Sequence, residues 1–442
     1  MTETEIVAQT APEQQATPVQ ADAPVGQAGR TRYRDAWAHR EFRALLLAKM
    51  TSEWGDHIAR VALASLVLAR TDSAFLAVLA FVASFVPAVF GSALLGAAAD
   101  RLPRKVVLVG CDLARAVVIG MLALLAVPGT PIWVLLLVLL AAETFTAPFD
   151  ATHRAVLPDV LPDPRECLVG GGLVRLVNQF DQVVGIALAG VVIVLVGERV
   201  GLLLDMATFI ASALILTAGL TWRPAARRGG TPMTLVGSLR LGWRLVFDDP
   251  SLRALVLLGW GAAVFLVAPE AVALAYARDH GADQVVGAAL MASLPAGAAI
   301  GAWLVGRQPA ARQVRSILPL AVSACLPLLL TCLSPPWQLV LPLWFLSEAA
   351  QGFIIPLLTT VTLVSPPDMR GRVNGLAGAG FSLVTASTFL AAGAAADLAS
   401  PAVAVTAAAV IGLALVGVAA WAWPHGELGR TTARVYGAEH PA

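Results

Sequence analysis

Twelve apolar segments, each long enough to cross about 30 Å of hydrocarbon, divide this chain. They fall at 42–69, 73–99, 106–127, 131–152, 167–196 and 200–221, and then at 252–277, 283–305, 315–333, 337–364, 372–397 and 400–423. In hydrocarbon every backbone N–H and C=O must be satisfied within the structure itself, so a run of this length spans as an α-helix. With 58% hydrophobic and 13% charged residues, against about 25% charged in a soluble domain, the chain cannot bury this surface in a water-soluble core. The fold class is all-α integral membrane, with twelve transmembrane helices.

The two sets of six read as copies of one unit. A shift of 208 residues superimposes Pro87 on Pro295, Pro128 on Pro336, Pro148 on Pro356, Pro158 on Pro366 and Arg70 on Arg278. Duplicated halves are common among secondary transporters, whose substrate sites lie at the repeat interface. The expected organisation is a disordered, Thr/Gln/Ala/Glu/Pro-rich tail at 1–30 and a six-helix bundle at 31–221. A cytoplasmic linker at 222–250, a second bundle at 251–423 and a cytoplasmic tail at 424–442 follow.

Basic residues orient the chain. Were both termini cytoplasmic, the segments on that side would carry 23 Arg/Lys and the opposite side three, Arg70, Arg199 and Arg278. That asymmetry places both termini inside. Arginine outnumbers lysine 28 to two (Lys49 and Lys105), which with abundant alanine points to a high-GC genome and to a bacterial cytoplasmic membrane.

Several function classes are excluded by what is missing. Neither lysine sits in a phosphate-binding G-x-x-x-x-G-K-[ST] loop, and no H-E-x-x-H, G-x-S-x-G or Cys/His metal spacing occurs. The chain is not expected to be an enzyme, to hold a cofactor or metal, or to bind nucleic acid. The N-terminus lacks the apolar core of a signal peptide. Cys111, Cys167, Cys325 and Cys332 lie in or beside apolar runs and read as buried free thiols.

The first span carries an unusual load: "KMTSEWGDHIAR" (49–60) holds Lys49, Glu53, Asp56, His57 and Arg60. At about 100° per residue, Lys49, Glu53, Asp56 and Arg60 share a stripe roughly 60° wide and about 16 Å long. Lys49–Glu53 and Asp56–Arg60 are opposite-charge pairs four residues apart. Each charge facing lipid would cost about 2.5–3.5 kcal/mol, so the stripe must face a protein or water-lined interior. Either these are structural charges joining the first helix to its neighbours, or at least one carboxylate titrates or meets substrate in an aqueous chamber between the bundles. His57 could titrate beside Glu53.

At the end of the second span stands "GAAADRLPRK", with Gly96, Asp100, Arg101, Arg104 and Lys105. Read generically, it is a basic loop retained inside. Its spacing, G-x-x-x-D-R-x-x-R-[KR], resembles the loop 2–3 signature of the major facilitator superfamily. "TSEWGD" resembles that family's Ser-x-x-Gly-Asp in the first span, "FDATHRAVLPDVLP" (149–162) the end of its fourth, and "PPDMRGRVNG" (366–375) the loop entering its eleventh. The likeness runs from residue 40 to 423 and is strongest to macrolide-efflux-like and siderophore-exporter-like drug exporters. It implies two six-helix pseudo-repeated bundles, alternating access and proton antiport. It also implies that Asp100 latches onto the start of the eleventh helix, Gly371 and Arg372, when the cytoplasmic side is closed. The second-half loop "VGRQPAARQ" (305–313) lacks the aspartate, so the latch is expected in the first half only. The fourth span carries Glu143 where many proton antiporters have arginine, and the fifth has "GIALAG" in place of Gly-Pro-x-x-Gly.

Other polar groups lie at membrane depth. Glu143 and Asp150 share a face of the fourth span; Glu143 is a coupling candidate and Asp150 a partner for Arg101 or Arg104. In the fifth span Arg175, Gln179 and Gln182 share a face, and Asp181 has no evident local cation. Glu348 and Gln351 sit three apart on the tenth span, while Glu270 and Asp205 read as structural. The expected function is export of a small, largely apolar organic molecule (drug, antibiotic or secondary metabolite) by a monomer driven by protons. The coupling candidates are Asp56 first, then Glu53, Glu143, Asp181 and Glu348, with Arg60 on the same stripe. Import or lipid flipping by the same architecture, or a non-transporting scaffold or sensor, are the alternatives.

Overall fold

The computed structural model describes residues 33–83, 102–223, 235–366, 369–421 and 423. Among these, every regular element is helical. A short α1 (Tyr33–Ala38) precedes α2 (Arg40–Thr71), the first span; α3 (Ala74–Val82) opens the second, whose remainder lies outside the described residues. The third span is α4 (Arg104–Leu125); the fourth is α5 (Ile132–Glu143) followed by α6 (Thr146–Val160). Then α7 (Pro164–Gly219) supplies the fifth and sixth. After α8 (Leu235–Asp248), the second half runs through α9 (Pro250–Asp279), α10 (Gln284–Gly306), the short α11 (Ala310–Arg315) and α12 (Ile317–Leu329). It closes with α13 (Trp337–Ala350), α14 (Ile354–Val364), α15 (Arg370–Leu398) and α16 (Pro401–Trp421).

A straight helix of 56 residues would be on the order of 80 Å long, more than twice the hydrocarbon core. Gly197 resolves this by adopting φ 80 and ψ 164, a conformation side chains oppose, and α7 reverses there into two spans. The ends of the spans therefore alternate. We call the end carrying Arg40 and Trp421 proximal, and the end carrying Asp72, Gly197 and Ser400 distal.

The repeat is visible in the breaks. The fourth span is interrupted at Thr144–Phe145 and the tenth at a 3-10 turn, Gln351–Phe353, and the 208-residue shift brings these together. Pro148 and Pro356 are the reason: each lacks the N–H that would bond the carbonyl four residues earlier, those of Thr144 and Gly352.

Lipid offers no hydrophobic drive between helices, so contact depends on small residues and polar bonds. In the second half α10 and α13 touch backbone to backbone: a Cβ on Gly301 would collide with the Ala349 main chain, and one on Gly297 with the Phe345 carbonyl. In the first half α2 runs along α7, packs against α3 and α6, and meets α4 through Asp56 and Ser52 with Arg115. The halves meet at the distal end. Gly190 of α7 lies against Ala288 of α10, Gly393 of α15 against Ala74, Phe75 and Val78 of α3, and Phe81 stacks on Phe389 at 5.7 Å between centroids. Cys111 and Cys325 are buried as expected; Cys332 is exposed at the distal end and Cys167 is half-buried, so the buried-thiol expectation holds for two of the four.

Candidate functional site

The charged stripe of α2 faces protein. Lys49 Nζ reaches Glu53 Oε1 at 2.7 Å, as the four-residue spacing suggested, and also Asp150 Oδ1 of α6 at 3.0 Å. The second expected pair does not form. Asp56 is held by Arg115 of α4, and Arg60 instead sends Nε to Glu143 Oε1 of α5 at 3.3 Å. The same face of the helix is used, but its partners come from neighbouring helices. Thr146 donates to the other Glu143 oxygen at 3.1 Å, fixing that carboxylate at the break between α5 and α6.

Asp56, 6% exposed, is turned into the first bundle and not toward a chamber between the halves, which corrects the sequence expectation. Its partner Arg115 is 2% exposed, stands over the Phe209 ring at 4.1 Å and lies 3.4 Å from Ser52 Oγ. Two acids complete this core. Asp112, one turn before Arg115, accepts from Ser212 Oγ at 2.6 Å. Asp205, fully buried on the second limb of α7, packs where Gly55 has no side chain; a Cβ there would strike the Asp205 and Thr208 side chains. Asp205, read from the sequence as structural, thus packs within this cluster. Asp181 accepts Trp54 Nε1 at 2.9 Å, linking α7 to α2 with no ion pair among the described residues.

Seven carboxyl groups (Glu53, Asp56, Asp112, Glu143, Asp150, Asp181 and Asp205) therefore share three described cations, Lys49, Arg60 and Arg115. The Arg175 and Gln179 side chains lie outside the described set. Asp112 and Arg115 were missed as a pair, although an acid and an arginine three apart in "CDLARAV" are a functional signal in any membrane span.

Glu348 is buried in the second half, away from this cluster. Its electrostatic neighbour is Glu270 of α9, and the field of Arg60 reaches Glu270 across the halves. Nearer the proximal end, α9, α14 and α15 bound a cavity of about 490 Å³ lined by Trp260, Leu357, Thr362, Asn374, Gly378 and Phe381 among others. Trp260 Nε1 donates to the Ala377 carbonyl at 2.9 Å, which sets the indole as a wall. The cavity is apolar with a few hydroxyl and amide groups, the usual composition of a small-molecule site.

Of the expected gate, Gly96, Asp100 and Arg101 lie outside the described residues. Arg104 pairs with Asp159 and donates to the Ala155 carbonyl at 2.6 Å, so Asp150 is not its partner. Lys105 donates to the Thr217 and Leu220 carbonyls, both at 2.7 Å, where a cation complements the negative end of α7. These bonds stay within the first half. At the start of α15, Arg372 contacts Met369 Sδ at 2.7 Å, and its carbonyl lies against Gly242 of α8.

The family model described as Major Facilitator Superfamily matches residues 45–362. The chain belongs to that superfamily. It is 27% identical over 351 residues to "Multidrug efflux pump Tap" of Mycobacterium tuberculosis, covering 75% of this chain and 81% of Tap. It is also 23% identical over 249 residues to an uncharacterized MFS-type transporter, YfmI, of Bacillus subtilis, covering 54% of this chain and 59% of YfmI. Among solved structures, a bacterial homolog of the human lysosomal transporter Spinster superimposes with a TM-score of 0.62 at 17% identity, covering 94% of this chain and all of the other. The nucleoside transporter NupG gives 0.63 at 13%, covering 90% and 99%. The chain is therefore a multi-pass membrane transporter of the twelve-helix fold and not an enzyme.

Proposed function

We propose that this transporter exports a small, largely apolar organic molecule in exchange for protons. The observation that carries the reading is the surplus of acid in this cluster of the first bundle: seven carboxyls against three described cations, at membrane depth. A buried carboxylate without a cation is expensive, so such a cluster suits groups that gain and lose protons during a cycle. The likeness to a pump named for multidrug efflux and the apolar cavity beside Trp260 and Phe381 support an apolar cargo. The arginine asymmetry supports a cytoplasmic proximal end, toward which the cavity lies.

In this mechanism Asp56 is the first proton carrier. Protonation frees Arg115 from its partner, and Arg115 then has Asp112 and Asp205 close by to turn to. Arg60 between Glu143 and Glu270 conveys the change to the second half, with Glu53, Asp181 and Glu348 as further acceptors. The halves at 31–221 and 251–423 move as bodies about the linker at 222–250, in a monomer. A ligand that binds one access state better shifts the equilibrium by its differential affinity. The test is uptake of ethidium by everted vesicles with simultaneous recording of lumenal pH. Export by antiport predicts dye accumulation coupled to proton efflux from the vesicle, with both fluxes lost in Asp56→Asn at equal membrane abundance. Dye movement without proton movement would sink the coupling, and no dye movement with any tested lipophilic compound would sink the cargo class.

A further inference from the structure

The first amides of α3 are closed from the other half of the molecule. Asp397 of α15 accepts the Ala74 N–H on Oδ1 at 2.5 Å and the Phe75 N–H on Oδ2 at 3.2 Å. Ser73, the N-cap residue of α3, bonds the Leu76 amide through its hydroxyl at 3.1 Å and donates that hydroxyl to Asp397 Oδ2 at 2.5 Å. One carboxylate thus ends an amide cluster 323 residues away in sequence.

Its position breaks a local rule. Asp397 lies in the last turn of α15, where the helix dipole is negative and cations are favoured. What compensates the carboxylate there is the positive end of α3. A residue placed against its own helix and in favour of another element marks a site selected for something other than local stability.

The surroundings are those of a contact that can part. Gly393, one turn earlier on the same face, lets the Phe75 backbone approach; a Cβ there would stand 2.9 Å from Phe75 Cα. Asp397 is exposed, so its bonds can be exchanged for water as the halves separate. Close by in sequence, Arg278 of α9 pairs with Asp72 and donates to the Leu68 carbonyl at 3.0 Å.

We infer that Asp397 is a distal clasp, holding α3 to α15 while that end is closed and releasing the amides when it opens. Only the word "opens" rests on the exchange mechanism above; the contact and its test concern conformation, and no transport is measured. Val78, 1% exposed against Gly393, is the reporter. With the four native cysteines replaced, Val78→Cys in nanodiscs reacts with a membrane-impermeant maleimide at a rate proportional to the distally open population.

Asp397→Ala should raise that rate about fivefold, the population equivalent of one lost helix cap. Asp397→Asn should raise it less, because asparagine caps as well but without charge. Asp249→Ala is the control. Asp249 caps α9 at the proximal end through Ser251 N (2.7 Å) and Leu252 N (3.0 Å), a contact within one half, and its loss should leave the rate unchanged. Wild-type labelling in Asp397→Ala, or an equal rise in Asp249→Ala, overturns the clasp. Should Asp397→Ala not yield monodisperse protein, Asp397→Lys, whose cation suits the C-terminal end of α15 but accepts nothing from the α3 amides, decides on the same reporter, and an unchanged rate again overturns the clasp.

Discussion

Arg115 of α4 donates to Asp56 of α2 inside the first bundle, and Arg60, one turn along from that acid on its own helix, pairs elsewhere. The first span is thus anchored through its charges to two other spans, the third through Asp56 and the fourth through Arg60 and Lys49. Removing one partner of such a pair leaves an unpaired charge in a low-dielectric core. Arg115→Met should therefore cost about 3–5 kcal/mol. Adding Asp56→Asn should recover most of it, read as unfolding free energy in detergent in a double-mutant cycle. Equal stability of Arg115→Met and wild type would remove this pair from the account.

Glu143 joins Arg60 to the break in the fourth span through Thr146. Glu143→Gln keeps an acceptor for both neighbours but leaves the half-buried Arg60 charge without its counter-ion, so stability should fall by about 1.5–3 kcal/mol, less than for Arg115→Met. Proton-coupled transport should fall at least about tenfold, because the Arg60 field is then no longer matched at that depth. Full coupled transport at normal abundance would assign Glu143 a structural role.

Gly378 lines the apolar cavity, and a Cβ on it would meet open space. Gly378→Phe should therefore fill the site without a clash, leaving the thermal midpoint within a few degrees while raising KM for an apolar dye about tenfold or more. Trp260→Phe, which keeps an aromatic wall but loses the bond to the Ala377 carbonyl and part of the ring packed on Gly380, should be milder. A Gly378→Phe protein that transports normally would place the cargo elsewhere.

Gly301 and Gly306 lie on the same helix in opposite situations. A Cβ on Gly301 meets the Ala349 main chain, whereas nothing stands near Gly306. Gly301→Val should destabilise by about 1–3 kcal/mol or more, since backbone cannot step aside, and Gly306→Val by about 0.5 kcal/mol at most. Equal melting curves would contradict the backbone contact between α10 and α13.

Where the chain pattern was read correctly, the deciding physics was local. Crossing hydrocarbon is a length requirement, so the expected 252–277 and 283–305 became α9 and α10 with shifts of one or two residues. Pro148 and Pro356, matched by the repeat, prove to break their helices because a missing N–H acts four residues away. The stripe on α2 faced inward as the cost of exposed charge demanded. What the pattern could not supply was the neighbour. Helical period gives the face on which Asp56 stands, and the face admits either Arg60 four residues on or a residue from another span. Asp112 was passed over and Asp205 read only as structural for the same reason, both being unremarkable until three helices bring them around one guanidinium.

The residue order alone thus fixes the number of crossings, the division between the fifth and sixth at 196–200 and the inward turn of the charges, since backbone satisfaction, chain length and desolvation operate within a single helix. Only the packed molecule decides that Asp56 belongs to Arg115, Glu143 to Arg60 and Asp397 to the amides of α3. Those choices depend on the approach of helices 59, 83 and 323 residues apart, and no local period encodes distance between helices.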